Sequence, residues 1–495
     1  SGDCCHKTML HKSVLTVILP YFRCNNRNRV EQQYLTIWDL VLTPLYLVVL
    51  IFVAKRIRDK RYPAGHPLRR YFIPGLLVKF GGAIFIALVY QFYYGNGDTF
   101  LFFEHCKLIN SSLDDSVATW VKLLLRVSPE SDPYLYQYTS QMHWYNDPPS
   151  YTVISIGAIF GLLNGTSYIP ISLLFAFASF SGIWAMFTTF AGIYPSRHKQ
   201  LAIAFLFIPS TFVWGSAMFK DTVCMFGLGW MTYTVFHIFM YRNFSVRNMF
   251  LLALSFYLVA VVKIYILLSF LPALSIWLLM NYSKKIRSSA LRKLTNVVVI
   301  SFSIAGMVLI SQNFADELGR YSLDKLAVTA KQTQGYINDV SEEEGGSAYD
   351  LGEFEPTILG MLIKFPQAVV VTLFRPFVWE IRKPIMVLSA IESFAFTLVF
   401  LLVLFKIGIR DAVKAIASDP NLLFFFVYSL IFAFAVGIST GNFGSLSRYK
   451  IPCMPFFAAF LMILYFRRSS TMQPAVVAPN METAKGVAQA SVSSI

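Results

Sequence analysis

Charge is scarce in this chain. Only 14% of its 495 residues are Asp, Glu, Lys or Arg, against about a quarter in a soluble domain. That shortage excludes a large soluble enzyme. The six cysteines (Cys4, Cys5, Cys24, Cys106, Cys224 and Cys453) show no CxxC spacing, which removes the common zinc and redox motifs. Cys4-Cys5-His6 reads as an incidental cluster. Strict apolar/polar alternation is also lacking, so a membrane β-barrel is excluded. There is no internal repeat, and no compact basic face interleaved with aromatics. The net charge of +15 therefore does not point to nucleic acid.

What the chain has instead is continuous apolar sequence. Hydrophobic residues make up 56% of it, mean hydropathy is +0.56, and several runs approach the roughly 20 residues that a helix needs to cross a bilayer. The expectation is an all-α, polytopic helical membrane protein whose first partner is the lipid bilayer. Eleven spans are read, at about 35–54, 71–93, 168–193, 199–216, 220–241, 247–262, 264–281, 295–311, 385–405, 421–439 and 451–466. Residues 55–70 hold seven Lys and Arg, a strong cytoplasmic marker. Residues 94–150 hold seven acids against three bases, and 312–357 ten against three, which puts both loops on the opposite face. Outer loops thus run over 94–167 and 312–384 within a transmembrane domain at 34–467. The expected location is a bacterial inner membrane, with the acidic loops periplasmic. Counting 150–163 as a span breaks the alternation, so it reads as a helix lying on or dipping into the outer face, and 358–378, ending at Arg375-Pro376, reads as a similar surface helix. Residues 1–33, opening on Ser1-Gly2 without Met, read as an added or altered start, and 468–495 as a disordered cytoplasmic tail.

The outer ends of the spans collect the ionisable residues. Asp98 follows the Gly95-Asn96-Gly97 turn, with Glu104 and His105 within two helical turns. His143, Tyr145 and Asp147 close the same loop, and Lys220-Asp221 sits between two spans. Lys263 and Tyr265 interrupt an apolar run, Arg375 precedes Pro376, and Arg448-Tyr449-Lys450 leads into the last span. Cations at one membrane depth suit a phosphate or diphosphate at headgroup level. A carboxylate beside them serves as general base on a hydroxyl, or as a ligand for Mg²⁺ or Mn²⁺. Each residue also has a plainer role: Asp98 as a helix cap, Lys220-Asp221 as an ion pair, Arg448 and Lys450 as snorkelling side chains. Lys263 inside an apolar run favours function. Trp144, Tyr145, Trp214 and Trp379 are aromatics suited to stacking on sugar faces.

An acid just after an early span, a long first outer loop and many further spans resemble the GT-C superfamily of membrane glycosyltransferases. That group includes protein O-mannosyltransferases, oligosaccharyltransferases and the aminoarabinose transferases of lipid A. Pro209-Ser210…Trp214-Gly215-Ser216…Lys220-Asp221, Arg375-Pro376-Phe377…Trp379-Glu380 and Ser447-Arg448-Tyr449-Lys450-Ile451-Pro452 look like Bacteroidetes-type members. The resemblance implies a polyprenyl-phosphate sugar donor and inverting transfer to a glycan, lipid or protein acceptor. It casts Asp98 as base or metal ligand. Lys263, Arg375 and Arg448 are the donor-phosphate candidates by chemistry and position. The family's paired acid is missing, because position 96 is Asn, and this favours a metal-free base over a metal site. Two other readings stay open: a polymerase or ligase using diphosphate-linked glycans, and a transporter or envelope-complex subunit.

Overall fold

The computed structural model describes residues 33–282 and 357–467, with positions 288, 294, 298, 301, 349, 351, 352 and 355 between them. Span 295–311, the Glu342–Glu344 run, the tail and nearly all of the N-terminal segment lie outside the described residues. Among the described residues the chain is helical, with no β-strand. Seven helices among the described residues are long and apolar enough to cross a membrane, so this is a helical membrane protein.

Helix α1 (Ile37–Arg61) opens on a capping box in which Asp39 accepts from the Thr36 amide at 2.9 Å. The same carboxylate takes the Ile169 amide at 2.8 Å, pinning α1 to a helix far along the chain. α2 (Arg69–Val89) continues to Tyr94 through one wide turn. α3 (Asp98–Ser111) and α4 (Pro148–Leu162) pair closely: the Cys106 thiol donates to Ile154 O and the Asn110 amide to Ala158 O, each at 3.1 Å. α4 is the 150–163 segment, and it is docked on α3 instead of lying alone on a bilayer face. α5 (Tyr168–Ile193) runs through the centre of the bundle and is largely buried.

Span 199–216 is two pieces, α6 (His198–Leu206) and α7 (Pro209–Trp214). Pro209 at the start of α7 cannot donate to the preceding turn, so the helix restarts there. Both cut ends are satisfied by charged side chains. Glu392 accepts the Ser210 amide at 2.6 Å, while the Lys79 ammonium donates to Gly215 O at 2.5 Å, Thr211 O at 3.2 Å and Ser179 Oγ at 3.1 Å. An acid at the amino end and a base at the carboxyl end also match the helix dipole.

α8 (Lys220–Tyr241) is followed by α9 (Val246–Tyr282), which is regular except at Lys263 (φ −151°, ψ 79°). The contacts along α8 show what happens there. Gly227 lies against Ser255 and Val259, Lys263 meets Asp221 in the first turn of α8, the Trp277 ring sits 4.5 Å from that of Phe236, and the Tyr282 hydroxyl donates to Phe239 O. The chain therefore climbs over 246–262, turns back at Lys263 and descends over 264–282. Those two legs correspond to the separate spans read at 247–262 and 264–281. α10 (Phe365–Phe374) runs antiparallel along α12 (Pro420–Ser439), with Thr372 Oγ1 donating to Ala433 O at 2.7 Å. α11 (Met386–Ile407), the short α13 (Phe443–Tyr449) and α14 (Met454–Tyr465) complete the bundle. At 12 residues, α14 is shorter than the span read at 451–466.

Candidate functional site

The residues around Asp98 gather at the end of the bundle opposite the Lys55–Arg61 run. Local sequence sets the position of the acid. Gly95 (φ 70°) closes the wide turn by donating to Tyr90 O at 2.9 Å, and Gly97 (φ 148°) lies against the Tyr90 ring, where a Cβ would collide. Only glycine takes these angles without strain. Asp98 is then the first residue of α3, with Gly97 in the cap position, and its carboxylate makes no capping bond. It faces Arg448 instead, Oδ2 to Nη1 at 3.2 Å.

From Arg448 a chain of charge leads inward. Its Nη2 lies 3.7 Å from Asp221 Oδ2, and its guanidinium sits 4.5 Å over the Phe219 ring. Asp221 Oδ1 receives the Lys263 ammonium at 2.5 Å. Lys263 is also 4.4 Å over the Tyr449 ring and 5.8 Å over that of Tyr265. The side chain of Asp98 is 49% exposed, Arg448 17%, and Asp221 1%. Asp98, at the open end, is the most exposed group in this series, and Arg448 keeps partial access beside it.

The corner in α9 explains why Lys263 is there. Non-helical angles free its backbone from the regular ladder, and the buried ammonium must be paired, because an isolated charge in an apolar interior is costly. Asp221 in the first turn of α8 supplies the partner. Asn442 Oδ1 accepts from Gly444 N at 2.6 Å and starts α13, which carries Arg448. The other end of α13 is fixed by Lys450, buried and donating to Ser393 Oγ at 3.2 Å and Arg375 O at 3.4 Å. Burial pulls the Lys450 ammonium below its usual value, with Glu392 opposing.

A second cluster flanks the first through Lys220, the neighbour of Asp221. Lys220 donates to Asp147 Oδ2 at 3.0 Å and lies 5.7 Å over the Trp144 ring. Asp147 also caps α4 by accepting the Ser150 amide at 3.1 Å. Burial raises the Asp147 carboxyl, but its bonds from Ser150 and the Lys220 charge outweigh this and hold it below the ordinary carboxylate range. His143 is exposed and packs on Trp144 at 4.7 Å. His105 is buried, and its Nδ1 has no partner among the described residues. Burial, then the charge of His143, lowers it to about 4. Glu104 is half-buried and near Tyr34, whose hydroxyl burial, then Glu104, pushes upward.

Arg375 is not part of either cluster. Its Nε is gripped by both oxygens of Glu380 at 3.0 and 3.1 Å, and its guanidinium lies 5.1 Å over Phe443. Of the aromatics, Trp214 is buried, while Trp379 is 81% exposed and stacked on Phe377. Among the described residues no group of three or more His, Cys, Asp or Glu side chains converges to hold a metal ion. Lys79 and Glu392, absent from the candidates drawn from the sequence, each stand alone in an apolar run, the same signal that marks Lys263. Compared with family models, with curated proteins and with solved structures, the chain matches none.

Proposed function

We propose that the protein is a GT-C-type membrane glycosyltransferase of about eleven spans that moves a sugar from a polyprenyl-phosphate donor to an acceptor on the periplasmic face of an inner membrane. The observation that carries this reading is the half-open Asp98–Arg448 pair at the end of the bundle remote from the basic loops. In the reaction, Asp98 takes the proton of an acceptor hydroxyl. The resulting oxygen attacks the anomeric carbon, and the bond from that carbon to the phosphate oxygen breaks. Negative charge then develops on the departing polyprenyl phosphate, where a guanidinium offers paired donors.

Phosphate binding falls on Arg448 in this scheme. Lys263 is spent on Asp221 and Arg375 on Glu380. The donor set around Asp98 does not fit Mg²⁺ or Mn²⁺: position 96 is Asn, and a guanidinium occupies the near side of the carboxylate. No step is routed through a metal. In membranes supplied with a polyprenyl-phosphate sugar, Asp98→Asn is expected to abolish transfer while leaving protein abundance unchanged. Full activity in that variant sinks the reading.

One observation favours a transporter as the second reading. Interrupted helices with charged residues at their cut ends, as in α7, are a transporter device. The Lys79 ammonium, however, is occupied by three oxygens. Substrate uptake into proteoliposomes without any glycan product would reverse the ranking.

A further inference from the structure

At the opposite end of the bundle a groove of about 500 Å³ opens between α1 and α2, lined by Arg58, Gly65, His66, Pro67, Arg69, Arg70, Ile73 and Pro74. No acid lines it. We propose that this groove binds the phosphate of an anionic phospholipid headgroup, a site separate from the Asp98 centre.

Three features carry the assignment. The first is charge drawn from both helices onto one hollow. Arg58 and Arg69 share a single carboxylate, Asp59, at 2.7 and 2.6 Å, while Arg70 has no ion-pair partner among the described residues and rests 4.9 Å over the Tyr71 ring. Three guanidinium groups against one carboxylate leave a net charge of about +2 at the groove, enough to hold a phosphate diester and still attract a second anion. The second is the backbone. α2 begins at Arg69 with no side-chain cap on its amino end and no acid in its first turn, so its dipole adds to the positive potential there. The third is the wall beneath. Ile73 and Pro74 line the groove, and Leu77, one turn beyond Ile73 on the same face of α2, is 44% exposed. Cations above and open apolar surface below match a lipid, whose phosphate and acyl chains need both. A soluble phosphate would use only the upper part.

Orientation by the positive-inside rule accounts for basic residues near the spans, but not for their convergence on a hollow. The test uses the full-length protein in detergent–lipid micelles doped with phosphatidylglycerol or, as control, phosphatidylcholine, with retained lipid counted by native mass spectrometry. Wild-type protein is expected to retain phosphatidylglycerol selectively. Arg70→Gln, an exposed position that leaves the Asp59 pairs intact, weakens retention about fivefold, and Arg58→Gln/Arg69→Gln/Arg70→Gln about a hundredfold. Arg242→Gln/Arg247→Gln, equally basic but outside the groove, leaves it unchanged. Displacement of phosphatidylglycerol by millimolar inorganic phosphate would assign the same phosphate chemistry to a soluble ion. Equal retention by wild type and the triple variant, each monodisperse on size exclusion, overturns the proposal.

Discussion

Two of the sets of charge among the described residues, one around α7 and one at the Asp98 end, are built differently. Around α7, Lys79 and Glu392 spend themselves mainly on backbone groups: an ammonium on two carbonyls, with the Ser179 hydroxyl as a third partner, and a carboxylate on an amide. That set finishes a helix that Pro209 interrupts, although Glu392 Oε1 has no hydrogen-bond partner among the described residues. At the Asp98 end the charges pair with one another, Asp98 to Arg448 to Asp221 to Lys263, and the series stops at a carboxylate half open to its surroundings. A charge consumed by backbone groups explains its own presence. A carboxylate held by an arginine, with space beside it, calls for an occupant.

The contrast can be broken by substitution, and the effects fall in a definite order. The largest belongs to Lys263. Lys263→Met leaves Asp221 buried beside a partner 3.7 Å away, and is expected to cost about 3–5 kcal/mol of stability. Thermal unfolding in detergent reads this, and a loss under 1 kcal/mol would mean that the ion pair does not hold the α9 corner. Next comes Lys79→Met, which removes the donor to Thr211 O but leaves Gly215 O with the Ser179 hydroxyl at 3.0 Å, and is expected to cost about 1–3 kcal/mol. If Lys79 is only structural, the surviving folded fraction keeps its full specific activity; a drop in specific activity would move Lys79 into the site.

A smaller effect comes from pH. His105 is lowered from 6.5 to about 4 in the folded protein. The unfolded chain therefore binds more protons between those values, so the contribution is complete above about 6.5 and declines as pH falls toward about 4. The unfolding temperature of His105→Gln should be flatter than wild type across that window; parallel curves would refute the assignment. Smallest for stability is Asp98→Asn. A half-exposed pair contributes about 0–1 kcal/mol, yet the same change is expected to remove activity. Stability and activity are thus expected to separate at Asp98, whereas Lys263 acts on stability.

Much of this was legible in the sequence. Apolar length marked the spans, and the reversal at Lys263 matches the two short runs that flank it. Ionisable residues at span ends pointed to the cluster, because a charge that stays near a membrane needs a reason. Three things were harder to read. Lys79 and Glu392 carry the same signal as Lys263, but their partners are backbone atoms of α7, and no residue type advertises a free carbonyl. Arg375 is a donor-phosphate candidate by its chemistry, and its grip by Glu380, five positions on, depends on a backbone turn that residue types do not spell out. Span 199–216 has the right hydropathy, and Pro209 was the visible sign that it would break.

The salt link between Asp98 and Arg448 joins positions 350 residues apart. During synthesis the early helices are made and inserted long before the arginine leaves the ribosome. Asp98 spends that interval without its guanidinium, and α8 with Asp221 waits for the same arrival. Closure of the centre is therefore a late event of biogenesis, and shortening the chain before α13 should yield an inserted but incomplete protein, with Asp98 unmatched and the apolar surface that α14 covers laid open.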